Sequence, residues 1–255
     1  MRKTILITGA SSGFGQACAR KFAQSGDALI LIARRTDRLE NLQQELLPSC
    51  PVHILTLDVT DTDAVVEALD SLPSEFCAID VLINNAGLAL GLGAAQNADL
   101  NDWDTMINTN ITAVVHMTRL ILPGMVARNR GHIVNIGSTA GSWPYPGGNV
   151  YGASKAFVQH FSRNLRADLI GKQIRVSNIE PGMAETEFSQ VRFKQDKERA
   201  DKVYQDVKPL SAQDIADIVH WVCNVPGHIN INALEVMPIC QAWGALVIDR
   251  SMNLT

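Results

Sequence analysis

No unbroken apolar run in the chain reaches the roughly 18 residues of a membrane-spanning helix. The opening Met1-Arg-Lys leads into a strand-like segment rather than a signal-peptide core. No one sign of charge dominates: a formal net charge of −4 argues against nucleic acid or an anionic membrane as the main partner. The cysteines, Cys18, Cys50, Cys77, Cys223 and Cys240, are odd in number, scattered and never spaced Cys-x-x-Cys. Reduced thiols, a cytoplasmic location and no metal site are the expectation. The histidines add no ligand pattern, His220 and His228 being their tightest pair. Nor is there a linker, low-complexity run or internal repeat, so residues 1–255 are read as one domain.

What is present alternates. Lys3–Thr8, Ala28–Ala33, Val52–Leu57, Ile79–Asn84, His132–Ile136 and Ile174–Ile179 read as short apolar strands. Between them lie helical patterns: about Gln16–Gln24, a polar helix ending at Leu47, one starting near Asp61, a long one from Trp103 to Ala127, and one from Val150 to Leu169. Strands alternating with helices of ten or more residues imply right-handed βαβ units and a parallel sheet covered on both faces. The periodicity weakens between Phe188 and Pro209, read as a mobile lid over about 186–210. A helix at Ala212–Cys223, a short strand at Ala233–Val236 and a tail over 238–255 complete the chain.

Thr8-Gly9-Ala-Ser11-Ser12-Gly13-Phe14-Gly15 sits between a strand and a helix, the context of a dinucleotide fingerprint with one extra residue. Glycines there permit positive φ and let backbone approach a pyrophosphate at a helix N-terminus. The second strand ends in Arg34-Arg35, where a site for NAD(H) usually carries a carboxylate for the ribose 2′-hydroxyl. Guanidiniums pair with a 2′-phosphate, so NADP(H) is the expected cofactor.

Tyr151 and Lys155 are i and i+4 neighbours on the helix read from Val150, with Cβ atoms about 5–6 Å apart. An ammonium at that spacing is expected to lower the tyrosine pKa from about 10, fitting it for general acid–base work. Ser138 lies thirteen positions upstream of the tyrosine.

Together with Asp58-Val59, Asn84-Asn85-Ala86-Gly87, Asn110 and Pro181-Gly182, these motifs resemble, over nearly the whole length, the short-chain dehydrogenase/reductase family. The resemblance implies a single-domain, Rossmann-type doubly wound α/β fold with a seven-stranded parallel sheet, and hydride transfer between a nicotinamide cofactor and a carbonyl or alcohol carbon. It assigns Asp58 and Val59 to the adenine and Asn85 to Gly87 to the adenosine ribose; unaided, Asp58 reads equally as a turn cap. It gives Pro181, Gly182 and Thr186 to the nicotinamide, and Ser138 and Tyr151 to the substrate oxygen. Lys155 falls to the nicotinamide ribose, and Asn110 to a proton path through a distorted helix. The chain departs from the pattern at Met183-Ala-Glu-Thr186, which weakens the assignment of Thr186.

The stretches Gly147-Gly-Asn149-Val-Tyr151, Thr186-Glu-Phe188, Val191-Arg192-Phe193 and Ile229–Pro238 are similar to bacterial NADP-dependent 3-hydroxy acid dehydrogenases and their relatives the sulfoacetaldehyde reductases. That likeness implies a small anionic aldehyde or hydroxy acid as substrate, with sulfoacetaldehyde first and malonic semialdehyde/3-hydroxypropionate or serine second. Arg192 is the residue chosen to pair with the anion, beside Asn149. The apolar tail 242–250 is expected to pack on a neighbouring subunit, bringing Trp243 or Arg250 toward a site, in the homodimer or homotetramer usual for the family. A non-catalytic NADP sensor is the remote alternative, disfavoured because such proteins lose the Tyr or Lys kept here.

Overall fold

The structure, a computed structural model, describes residues 2–244. In order it holds β1 (Thr4–Thr8), α1 (Gly13–Gln24), β2 (Ala28–Ala33), α2 (Thr36–Leu46), β3 (Val52–Thr56), α3 (Thr62–Asp70), β4 (Val81–Asn84), α4 (Leu100–Ile107), α5 (Ala113–Arg128), β5 (Gly131–Ile136) and α6 (Asn149–Asp168). These are followed by β6 (Ile174–Pro181), α7 (Phe188–Arg192), α8 (Lys197–Lys202), α9 (Ala212–Asn224) and β7 (Ala233–Val236). The strands form one parallel sheet in the order β3-β2-β1-β4-β5-β6-β7.

Strand side chains alternate between two buried layers. Ile5 and Ile7 of β1 enter the layer with Phe22, Leu39, Leu42, Val219 and Val222, from α1, α2 and α9. Leu6 enters the opposite layer with Val65, Met117, Ile121 and Leu165, from α3, α5 and α6. Burial on both faces is why these strands read as unbroken apolar runs rather than alternating ones. The chain winds outward from β1 to β3, then returns to lay β4 against the free edge of β1. A crevice therefore opens beyond the C-terminal ends of β1 and β4, where such sheets bind ligands.

The long helix expected from Trp103 to Ala127 is not continuous. A wide π turn, Asn108–Thr112, separates α4 from α5. There Asn110 turns its amide to the backbone of Leu88, accepting from Leu88 N at 2.9 Å and donating to Leu88 O at 2.8 Å. By length and composition the stretch Leu100–Arg128 could cross a bilayer, but Met106, Met117, Ile121 and Met125 are buried within this molecule. The helix read from Gln16 begins at Gly13, so the last two fingerprint glycines lie in its first turn.

Candidate active site

Thr8 and Asn85 join the ends of β1 and β4. Thr8 Oγ1 accepts from Asn85 N and Ala86 N, each at 3.0 Å, and Asn85 Nδ2 donates to Thr8 O at 2.8 Å. Gly9 has φ of +67°, and a Cβ there would lie 2.9 Å from Asn85 Nδ2. A Cβ on Gly15 would lie 2.4 Å from Gly9 O. The turn folds this tightly only without side chains at both positions. Ser12 at the N-cap of α1 makes no side-chain cap bond, leaving first-turn N–H groups available to an anion. This is a cradle that fits a pyrophosphate.

A cavity of about 800 Å³ runs from that cradle across the sheet ends. Among its walls are Gly9, Ser11, Ser12, Gly13, Phe14, Arg34, Arg35, Asp58 and Val59 at one end, and Ser138, Tyr151, Lys155, Pro181, Gly182, Thr186 and Arg192 at the other. Asn85, Ala86 and Gly87 line its middle. The basic end is built at the tip of β2. Arg34 is 71% exposed and sits 3.5 Å from Asp58, while Arg35 Nε donates to Ser11 Oγ at 3.2 Å. Asp58 also closes a turn, accepting from Thr60 N at 3.0 Å and Thr60 Oγ1 at 2.8 Å, as its turn-cap reading expects, and it lines the cavity. Arg38, one helical turn along α2 from Arg35, shares the Glu187 carboxylate with it and was not anticipated from the sequence.

At the other end, the segment carrying Ser138 seats directly on α6. A Cβ on Gly141 would fall 2.9 Å from Lys155 C, and one on Gly152 would fall 3.0 Å from Ala140 O. Behind this contact Asn84 Nδ2 donates to Asn135 Oδ1 at 2.8 Å, and Asn135 Nδ2 donates to Ser162 Oγ at 2.8 Å. The buried chain of bonds ties β4 and β5 to α6 and fixes its position. Ser138 Oγ accepts from Ala140 N at 3.1 Å and lies beside the Tyr151 hydroxyl, where its polar group opposes the rise of the tyrosine pKa. Lys155 Nζ donates to Ile136 O at 2.8 Å, and Asn110 Nδ2 reaches Ser154 Oγ at 3.0 Å.

The expectation that Lys155 lowers the tyrosine pKa is not met in this geometry. Burial pushes Tyr151 up to about 12, against opposing pulls from Ser138 and Arg192. The lysine has turned its ammonium to a backbone carbonyl and stands 5.9 Å from the tyrosine ring centroid. Burial also lowers Lys155 from 10.5 to about 8. Between those two values the unfolded chain binds more protons at this residue than the folded one, so stability rises with pH there. Below about 8 the buried ammonium opposes folding by about 3 kcal/mol, at 1.36 kcal/mol for each unit. Lys155→Met should thus raise the thermal midpoint at pH 7 by about 4–6 °C, after roughly 1 kcal/mol for the unpaired Ile136 carbonyl. The gain should shrink as melts are repeated toward pH 10. A midpoint lowered at pH 7 would contradict a burial-driven shift.

Three assigned residues lie outside the cavity wall. Gly15 is consumed in close packing against Gly9; Asn110 lies behind the wall, bonded to Leu88 and Ser154. Asn149, at the start of α6, donates through Nδ2 to Gly93 O at 3.3 Å. Arg192 does face the site. Its guanidinium carbon is 5.5 Å from the ring centroids of both Tyr145 and Tyr151, and it donates to the Tyr145 hydroxyl. Phe188 stands 5.6 Å from the Tyr151 ring.

Sequence reasoning missed most of the far wall. Trp143 and Trp243 both donate to Glu235, at 2.7 and 2.6 Å, with ring centroids 5.9 Å apart. Gln241 accepts from Met183 N at 2.6 Å. Trp243 thus packs on its own chain beside the cavity; Arg250 lies outside the described residues. These groups come from loops far apart in sequence, and no spacing signals their meeting.

Comparison with known proteins agrees with this geometry. Residues 3–197 match the family model described as short chain dehydrogenase. The chain is 53% identical to the NADP-dependent 3-hydroxy acid dehydrogenase YdfG of Escherichia coli K12, covering 96% of this chain and 99% of the relative. It is 51% identical to sulfoacetaldehyde reductase 2 of Chromohalobacter salexigens, covering 98% of this chain and all of the relative. A solved structure of serine dehydrogenase in a closed form complexed with NADP+ superposes with a TM-score of 0.94 at 52% identity, covering 97% of this chain and 100% of that one. The seven-stranded sheet, the glycine cradle and this match along most of the chain carry one conclusion: the protein belongs to the short-chain dehydrogenase family.

Proposed function

We propose that this enzyme uses NADPH to reduce a short aldehyde bearing an anionic group, and runs the reverse oxidation of the corresponding hydroxy acid or hydroxysulfonate. The observation that carries the substrate class is Arg192, a cation held over the Tyr151 ring and orienting on Tyr145. Support for the cofactor comes from Arg34, Arg35 and Arg38 at the tip of β2, and from relatives whose names or bound ligand specify NADP.

When bound, NADPH supplies hydride to the carbonyl carbon. The chain supplies what the oxygen needs. Ser138 and Tyr151, both on the cavity wall, offer two donors to an oxygen that gains charge during reduction, and so favour the transition state over the ground state. Tyr151 hands over its proton. Lys155 and Asn110 both border Gly87, whose Cβ would lie 3.4 Å from Lys155 Nζ and 3.2 Å from Asn110 Oδ1. We assign Lys155 to the cofactor ribose and the pair to proton return.

Sulfoacetaldehyde and malonic semialdehyde both carry an anion close to the carbonyl and suit Arg192 equally. The first is our leading candidate; the second is favoured by the 53% identity to a 3-hydroxy acid dehydrogenase. NADPH oxidation with these two, succinic semialdehyde and uncharged methylglyoxal separates them. Arg192→Ala should raise KM for the short anionic aldehydes by about 10- to 100-fold, the worth of one charge-assisted bond, and leave methylglyoxal within about twofold. Equal losses on charged and uncharged aldehydes would remove Arg192 from substrate recognition.

A further inference from the structure

Glu187 joins the cavity wall at Thr186 to α7, and its carboxylate reaches across to α2. Its Oε2 accepts from Arg35 Nη1 at 2.9 Å, and its Oε1 accepts from Arg38 Nη1. Arg35 simultaneously donates through Nε to Ser11 Oγ of the phosphate loop. One anion, two guanidiniums and a loop hydroxyl form the set that a phosphate monoester would need at this place. Burial pushes the carboxyl upward, but bonds from Arg38 and Arg35 outweigh it and keep the group ionised.

Two features make this contact exchangeable rather than structural. The pair stands about 40% open to solvent on both sides, where an ion pair adds little to stability. A phosphate brings about two charges and three acceptor oxygens against one charge and two oxygens, so it is the stronger partner for a pair of arginines.

We propose that Glu187 is a stand-in for the cofactor's 2′-phosphate: its carboxylate occupies Arg35 and Arg38 until that phosphate displaces it, so that Glu187 competes with NADP(H) and not with NAD(H). The inference rests on the NADP(H) reading above. It gives Glu187 a role in cofactor discrimination that is separate from the arginines themselves. It also links the two ends of the site, because the residue next to Glu187 is Phe188, packed on Tyr151, and Arg192 lies one helical turn further.

Calorimetric titration of the full chain with 2′,5′-ADP and with 5′-AMP tests the competition without turnover. The wild type should bind 2′,5′-ADP more tightly than 5′-AMP. Glu187→Gln should lower Kd for 2′,5′-ADP about tenfold, the internal competitor being gone, and leave 5′-AMP within about twofold. Glu187→Ala, which can keep no bond to either arginine, should shift in the same direction. Unchanged or weaker 2′,5′-ADP binding in both variants overturns the proposal while leaving the NADP(H) reading intact. A wild type that shows no preference between the two ligands overturns both.

Discussion

Tyr151→Phe is expected to lower kcat by about three orders of magnitude and to leave the Kd for NADPH within about twofold. The substitution deletes one oxygen. The ring stays in the pocket formed by Phe188 and the Arg192 guanidinium, so the wall that faces cofactor and substrate keeps its shape. What disappears is a proton donor, worth about 10²–10⁴ in rate, and one of two groups on the developing oxyanion, worth about 10²–10³. These effects do not multiply, because Ser138 remains and the two act on the same oxygen. Burial raises the Tyr151 pKa, which favours the neutral, proton-donating hydroxyl. Cofactor titration by quenching of protein fluorescence, followed by single-turnover NADPH oxidation, separates binding from chemistry. Near-normal single-turnover rates would remove Tyr151 from proton transfer; a rate loss matched by lost NADPH affinity would make it a cofactor-binding residue instead.

The parts of this molecule that were legible in its sequence are those governed by local rules. Strands buried on both faces announce themselves as β-branched runs, and β1 and β2 fall within one residue of their expected limits. The glycine cradle was legible because only glycine tolerates Gly9's backbone angle and Gly15's approach to it. The π turn was half legible: Asn110 is a poor helix former in the middle of a long helical pattern, yet the reason it sits there, the Leu88 backbone, lies 22 residues away. Arg38 carried a fair signal that went unread, since it follows Arg35 by one helical turn. The direction of the Tyr151 shift was misread for a different reason. An i, i+4 spacing fixes where two Cβ atoms lie, not where a long flexible side chain ends, and Lys155 ends at Ile136 O. Of the wall made by Trp143, Gln241 and Trp243, the apolar tail signalled Trp243 alone; the chain's topology brings Trp143 to it.

Replacing Arg34 and Arg35 together by acidic residues is expected to lower kcat/KM for NADPH by about 10²–10⁴ and to raise it for NADH. Each lost charge-assisted contact to a phosphate is worth about 1.5–3 kcal/mol, and two of them amount to that range of fold-change. The gain with NADH comes from carboxylates placed where the ribose 2′-hydroxyl can donate. The two positions are not equivalent. Arg34 is mostly exposed and weakly held by Asp58, so its replacement acts mainly through the lost charge. Arg35 is gripped by Ser11 and Glu187, and a carboxylate in its place would face Glu187 and repel it. Arg38 survives the double substitution and keeps one guanidinium at the phosphate position. The double variant should therefore equalise the two cofactors, and only addition of Arg38→Ala should invert the preference. Steady-state ratios of kcat/KM for NADPH and NADH across the double and triple variants measure this. A ratio that stays at its wild-type value in the double variant would place the 2′-phosphate elsewhere, and a full inversion without the third substitution would deny Arg38 a part in holding it.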